Sequence, residues 1–466
     1  MDINEIFNKD VADIVTYLKS GTKNIPSWSD LIKDYEPKFH KIVTDTKGRR
    51  DKIHSDGSVD KAARLSVGLE KLLVKRFTEF TFAIPVKRIY YNTDTDVQKS
   101  IANAIEQIYI SNHINNENMT RGIAYYGSCE MFTLWYTKKE TNTFYGFNSL
   151  YKLKCKTFSP MNGTRIYPLF DEKDDLIALS FEYQKKEADS LINYFEAFTA
   201  EKHYIWKSTG KDGWESILQD EEIVIEKIPA IYLYRHAPVY DGLSVLREDL
   251  EYSLSRNSDV IAYNSAPVLK VSGTLVGEEK KGETRRIYRV ENGGDVSYVS
   301  WQQSIEALKY HIDSLVKLFF MQSQMPDISF ENLKSLGNIG FDARKTLLAD
   351  AHLKIGEEAG PWVEFFERET NVIKAFLKKM NTAWASEIDN VKVEHIITPF
   401  IQEDEKSEIE KWRTASGGKA LVSQQEAIKL AGFTDNPDRT YELIQQEEQQ
   451  EIETRNQSMT SMFSAE

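Results

Sequence analysis

Apolar positions alternate between helical and strand-like periods along the chain, and the switches between the two divide it into segments. Leu65, Leu69, Leu72, Leu73 and Phe77 recur at helical spacing, and Val97 to Asn112 repeats the pattern through Ile101, Ile105 and Ile108. Between these helices lies FTFAIPVKRIY, where Pro85 argues against a continuous central strand. Upstream, the polar run TKGRRDKIHSDGS, Thr46 to Ser58, reads as an exposed loop. After Asn112 and as far as Leu233 the signal is strand-like. MFTLWYT, YKLKCKTF, TRIYPLF, LIALSFEYQ, EKHYIWKS and EIVIEKIPAIYLYRH are rich in β-branched and aromatic residues with polar turns between them, which predicts an antiparallel β region.

At Pro238 the period changes again. A helix from Leu243 to about Tyr263 leads into a glycine-punctuated β-type stretch, Val268 to Trp301, and a second helix returns over Ser304 to Met321. Ile305, Leu308, Ile312, Leu315, Val316 and Phe319 place one apolar stripe along that second helix. Two helices joined by a small β-rich excursion predict a stalk carrying a tip. The segment ISFENLKSLGNIG then precedes a long helical pattern from Phe341 to about Asn381, roughly 60 Å at 1.5 Å per residue. Gly360 and Pro361 sit near its middle. A proline there loses a helical hydrogen bond and clashes with the preceding turn, so a kink is expected, held by the bulk of Trp362, Phe365, Phe366 and Phe376. The last stretch, QQEEQQEIETRNQSMTSMFSAE, is polar and expected to fray.

Composition narrows the class. The 466 residues predict two to four structural units, and 41% apolar with 12% aromatic residues rule out global disorder. With 59 basic against 72 acidic side chains the formal charge is −13, yet the stretch 270–289 is locally cationic: Lys270, Lys280, Lys281, Arg285, Arg286 and Arg289 face only Glu278, Glu279 and Glu283. Residues 403–466 hold 14 acidic and 7 basic side chains. No apolar run reaches the roughly 20 residues needed to cross a bilayer, and MDINEIFNKD lacks the basic start and apolar block of a signal peptide, so no membrane association and a cytosolic start are expected. Cys129 and Cys155 stand 26 residues apart without a CxxC or Cys/His pairing, which points to reduced, buried thiols.

Candidate chemistry is sparse. No GxGxxG follows a strand, Gly210-Lys211 and Gly418-Lys419 lack the rest of a phosphate loop, and neither HExxH nor GxSxG occurs. The eight histidines are scattered singly, and adjacent carboxylates such as Glu278-Glu279 or Asp174-Asp175 do not make a catalytic dyad. The expectation is a protein that is not an enzyme, with no cofactor, no metal and no catalytic residue. A hydrolase with catalytic groups far apart in sequence is the competing enzymatic reading; it requires a pocket of convergent titratable groups.

The order of segments is more specific than any one of them. IPAIYLYRHAP, then DGLSVLREDLEYSLSRNSDVIAYNSAPVLKVSG, then MPDISFENLKSLGNIGFDARKTLLADAHLK resembles the portal proteins of tailed bacteriophages, in the siphovirus-type branch. GRR with the helix before FAIPVKR, GIAYYGSCEMFTLWY, the turn-linked strands to Tyr183 and the C-terminal GKALVSQQEAIKLAGFTDNPDRTYELIQQEEQ fall in the same order, so the resemblance covers about 90% of the chain.

That resemblance implies an α+β portal fold: a mixed α/β wing over 1–241, stem helices over 242–265 and 302–322, a small β-rich clip over 266–301, a channel loop over 323–340, the long kinked helix and wing return over 341–400, and a helical crown over 401–466. It implies a homo-oligomeric ring, usually a dodecamer, at one capsid vertex. Double-stranded DNA passes through the ring in packaging and ejection, and the terminase large subunit, a head–tail adaptor, and the major capsid and scaffolding proteins are the partners. Asn332, Lys334, Ser335 and Asn338 are the candidates to face DNA from the channel loop. Lys280, Lys281, Arg285 and Arg286 are the candidates to dock a partner at the clip, and Gly360 and Pro361 mark the helix kink. The alternative is a non-channel phage scaffold or adaptor protein that uses the helix–tip–helix insertion for assembly.

Overall fold

The computed structural model describes residues 6–21, 23–187, 190–210, 213–264, 268–280, 286–290, 293–299, 305–327, 346, 348–400, 405–417, 420–432, 434 and 436–463. The chain divides into two units, Met1–Ser329 with Ala349–Phe400, and Phe330–Leu348 with Ile401–Glu466. The fold is mixed α+β with antiparallel strand pairing.

The first unit is built round the helix Leu69–Phe82, which buries Leu73, Val74, Phe77 and Phe80 almost completely. It starts four residues later than its apolar spacing suggests, because Leu65 and Val67 belong to an extended strap instead. Against it lies a helix that the sequence pattern did not predict, Ile114–Ser128, which meets it through Gly122 and through Tyr126, packed on Phe77 at 5.5 Å. A Cβ added at Gly122 would stand 2.7 Å from the Thr78 side chain and 3.2 Å from that of Phe82, so a larger residue there would force the helices apart. Asp96–Ser111 is the predicted helix; Thr95 and Gln98 close its start with a capping box.

A short hairpin, β1 (Lys52–Ile53) with β2 (Val59–Asp60), occupies the expected polar loop. β3 (Lys87–Tyr91) follows Pro85 and pairs with the late strand Lys392–Ile396. The β region forms two sheets. β11 (Ala230–Tyr234), β4 (Glu130–Asn142) and β5 (Ser149–Phe158) make one. β6 (Arg165–Phe170), β7 (Leu176–Glu187), β8 (Ser190–Phe198), β9 (Lys202–Gly210) and β10 (Gly213–Glu222) make the other, in consecutive antiparallel order. β8 and β10 were missed in the sequence; β10 reads GWESILQDEE and pairs with three register shifts, so it has little alternation to detect. Phe132, Ile166, Leu179, Phe181, Phe198, Ala230 and Tyr232 form one apolar cluster that joins the two sheets. The free edge of β5 is closed by side chains: the N–H groups of Leu153, Cys155 and Thr157 donate to Tyr145 Oη (2.9 Å), Asn112 Oδ1 (3.2 Å) and Glu117 Oε1 (3.0 Å). Such an edge offers nothing to a further strand.

The long helix runs unbroken as Ala349–Met380 through Gly360 and Pro361, both on its exposed face. Trp362, Phe365 and Phe366 lie on the buried face, with Trp362 edge-on to Phe82 at 4.8 Å; Phe376 is half-buried. Residues 341–345 and 347, where the sequence pattern placed its first turns, lie outside the described residues. The helix also brings Glu369 to Arg121, both fully buried, at 2.5 Å. Trp135 Nε1 donates to the same Glu369 oxygen (3.0 Å), Asn118 Oδ1 accepts from Arg121 (2.9 Å), and the guanidinium stacks over Phe365.

The second unit holds the helices Glu405–Ser416, Gln424–Ala431 and Pro437–Phe463. Ser423 and Glu426 cap the middle one reciprocally. The polar tail expected to fray is helical to Phe463; its Gln and Glu residues are good helix formers even without an apolar face.

Glu369→Ala leaves the Arg121 guanidinium charged and enclosed. Breaking a buried pair from one side costs about 3–5 kcal/mol, so urea unfolding should shift by that amount, whereas Arg121→Met with Glu369→Leu should recover most of it.

Candidate functional site

The stalk expected from the sequence is present as two helices, Ser244–Asn264 and Ile305–Ser323. Leu315, Phe319 and Phe320 bury the far end of the second helix, and His311 meets Asp249 of the first at 3.2 Å. Between them the tip comprises two two-stranded antiparallel sheets. β12 (Val268–Ser272) pairs with β15 (Asp295–Val299), and β13 (Leu275–Lys280) pairs with β14 (Arg286–Val290). Gly273 and Gly293 have φ of +106° and +96°, and a Cβ at Gly273 would stand 3.1 Å from the Gly294 Cα, so the chain crosses itself there on glycine alone.

The first stalk helix is fixed to the body by buried charge as well as by the apolar burial of Leu250. Arg247, buried, donates to Glu70 (2.7 Å), Asp34 (2.7 Å) and Glu251 (3.2 Å). His40, also buried, places Nε2 2.8 Å from the main-chain oxygen of Asp34 and Nδ1 2.6 Å from Glu251 Oε1. A carbonyl only accepts, so Nε2 donates, and a proton must also lie between Nδ1 and the Glu251 carboxylate. Burial pushes the Glu70 carboxyl above its ordinary value, against the opposing pull of Arg247.

A strap lies along the same helix. The N–H groups of Val67, Leu65 and Ala63 donate to Glu251 Oε1 (2.8 Å), Ser255 Oγ (2.9 Å) and Asp259 Oδ1 (2.8 Å). Alternate residues of an extended segment thus meet helix positions i, i+4 and i+8. Arg49 also bonds Asp259, and Arg64 bonds the Arg49 main-chain oxygen at 2.7 Å. Sequence reasoning overlooked this set. Its signal was there, since Glu251, Ser255 and Asp259 form a polar stripe on one helical face.

Of the residues singled out in the sequence, Lys280 closes β13 and Arg286 opens β14, and the register sets them opposite each other. Lys281 and Arg285 lie outside the described residues, as do Asn332, Lys334, Ser335 and Asn338 of the expected channel loop. Gly360 and Pro361 lie in the long helix. Cys129 is buried and Cys155 half-buried, both free, and burial pushes both thiols up to about 12. His395 is held down to about 4 by burial and Arg88, and its Nε2 lies 2.9 Å from the Thr370 hydroxyl, a structural role. A cleft of about 820 Å³ near Trp28 and Tyr167 contains cations that are already paired, Lys23 with Glu130 (2.9 Å) and Lys19 with Glu182 (3.1 Å). Among the described residues, no group of three or more His, Cys, Asp or Glu side chains is placed to hold a metal ion, and no helix is long and apolar enough to cross a membrane.

The family model described as phage portal protein, SPP1 Gp6-like, matches residues 17–454, and the chain belongs to that family of structural, connector-type proteins. Among solved structures it is similar to a chain from the neck of an empty GTA particle computed with C6 symmetry, at 10% identity over 86% of this chain and 95% of that one, TM-score 0.40. It is similar also to one from the neck of a native GTA particle computed with C12 symmetry, at 9% identity over 91% and 99%, TM-score 0.41. A third, from the virion of a native gene transfer agent particle, matches at 10% identity over 92% and 100%, TM-score 0.38. Curated proteins offer no match.

Because the Glu70 carboxyl is held above its unfolded value, its contribution to stability is complete at low pH and is lost as pH rises through the folded value. Glu70→Gln should therefore be more stable than the wild type at neutral and alkaline pH, the difference closing as the pH is lowered. Urea titrations across that range measure it; a variant weaker at every pH would show that the pairing with Arg247 outweighs burial.

Proposed function

We propose that this chain is the subunit of a closed dodecameric ring at one vertex of a phage capsid, the channel for double-stranded DNA in packaging and ejection. The observation that carries the reading is the pair of helices, Ser244–Asn264 and Ile305–Ser323, bracketing a small β tip within a portal-family chain. Such a projection buries little by itself and needs neighbouring copies. An acidic subunit suits a channel: phosphate binding requires cations, and a net charge of −13 keeps DNA from adhering to the wall as it slides.

The tip is the clip, where Lys280, Lys281, Arg285 and Arg286 dock the terminase large subunit and later the head–tail adaptor. Residues 323–340 form the channel loop, from which Asn332, Lys334, Ser335 and Asn338 approach DNA. Lys334 is the only cation in that stretch, against Asp327 and Glu331, so each copy offers one weak, screened phosphate contact. Gly360 and Pro361 bend the long helix that follows, and the bend positions the channel loop. Major capsid and scaffolding proteins surround the ring, which is assembled in the host cytoplasm.

Negative-stain microscopy of the purified protein should show rings with a central hole; monomers at every concentration and salt would overturn the reading. In a packaging assay Lys334→Glu should shorten or destabilise packaged DNA while rings form normally. Reversing charge at Lys280, Lys281, Arg285 and Arg286 should weaken partner docking and leave ring formation intact.

A further inference from the structure

Two of the most exposed large apolar side chains of the first unit are Ile53, 75% exposed, and Tyr310, 76% exposed. Ile53 is on β1 and faces Val59 of β2 directly across the hairpin, so the two form one apolar knob; Val59 is 49% exposed. A two-stranded ribbon this short has no stability of its own. It is held outward by the strap bonds from Ala63, Leu65 and Val67 and by Arg49 and Arg64. A mounting of that kind presents a knob; it does not bury one.

The surroundings of the two residues are complementary. Residues 47–64 carry six basic and three acidic side chains in a chain of net charge −13. Arg50, Lys52 and Lys61 are exposed and make no ion pair among the described residues. On the helix Ile305–Ser323, Glu306, Tyr310, Asp313, Lys317 and Met321 share one exposed face, with the two carboxylates one turn to either side of Tyr310. Met321, at 67% exposed, extends its apolar surface.

Knob and stripe also lie on different flanks of the stalk. Asp249 faces the second stalk helix through His311, while the strap is centred on Ser255, about 120° round the first helix at 100° per residue. We propose that the hairpin of one copy seats its Ile53–Val59 knob on the Tyr310 stripe of a second copy, with Arg50 and Lys61 reaching Glu306 and Asp313. Two unlike surfaces on different flanks make a heterologous contact, the kind that closes a ring. The inference rests on the ring reading and names one of its joints.

Ile53→Cys and Tyr310→Cys proteins, mixed and treated with a short bis-maleimide, should give cross-linked dimers that neither protein gives alone. Ile53→Asp with Val59→Asp should raise the concentration for half-assembly at least about tenfold. Both sites are exposed, so the monomer's unfolding midpoint should not move. If wild-type rings form while the mixture yields no cross-link and the double variant assembles like the wild type, the joint is elsewhere and the ring reading stands. If the wild type forms no rings, both fall.

Discussion

The helix Ile114–Ser128, the sheet β11–β4–β5 and the long helix meet at a guanidinium that has no route to water. Arg121 is fully enclosed, and a buried charge is tolerated only when it is paired and its remaining donors are largely satisfied. The pairing oxygen comes from Glu369, 248 residues further along, and Trp135 of β4 holds that oxygen from the other side. The helix Ile114–Ser128, the sheet and the long helix therefore share one buried ion pair. The stalk and tip lie between Trp135 and Glu369 in sequence, and Arg247 near the start of the stalk is tied back to Glu70 of the helix Leu69–Phe82.

The parts of this fold that could be read from the sequence are those whose stability is local or periodic. The two stalk helices fall within one or two residues of the limits set by their apolar spacing, and most strands with β-branched alternation are where they were expected; the exception is EIVIEKIP, where only the first residue ends β10 and the rest is turn, so that the expected strand is confined to Ala230–Tyr234. Ile114–Ser128 escaped because its buried positions mix Gly122, Gly127, Asn118 and Arg121 with Tyr125 and Tyr126, which leaves no clear aliphatic period. The Arg247 network escaped for a different reason: Glu70 and Arg247 are 177 residues apart, and no spacing rule connects them. Of the four tip cations singled out, Lys280 and Arg286 are among the described residues, and their pairing across β13 and β14 is fixed by a register that composition does not carry.

The protein treats its strand edges in two ways. In the body, β5 is sealed by Asn112, Glu117 and Tyr145, and β6 carries Pro168, which has no donor to offer. In the tip, each described sheet has only two strands, a size that is marginal in isolation.

The strap's length follows from a mismatch of rulers. Two extended residues advance about 6.6–6.8 Å, whereas four helical residues rise about 6.0 Å. Each rung of the ladder on Glu251, Ser255 and Asp259 therefore loses register by roughly 0.7 Å. Three rungs can share the error; a fourth, at Lys61, would be about 2 Å out, beyond the reach of a hydrogen bond. The strap must part from the helix there, and β2 ends at Asp60. The point at which the hairpin departs is thus set by a vernier between two kinds of backbone, so lengthening the polar stripe on the helix would not draw the arm inward.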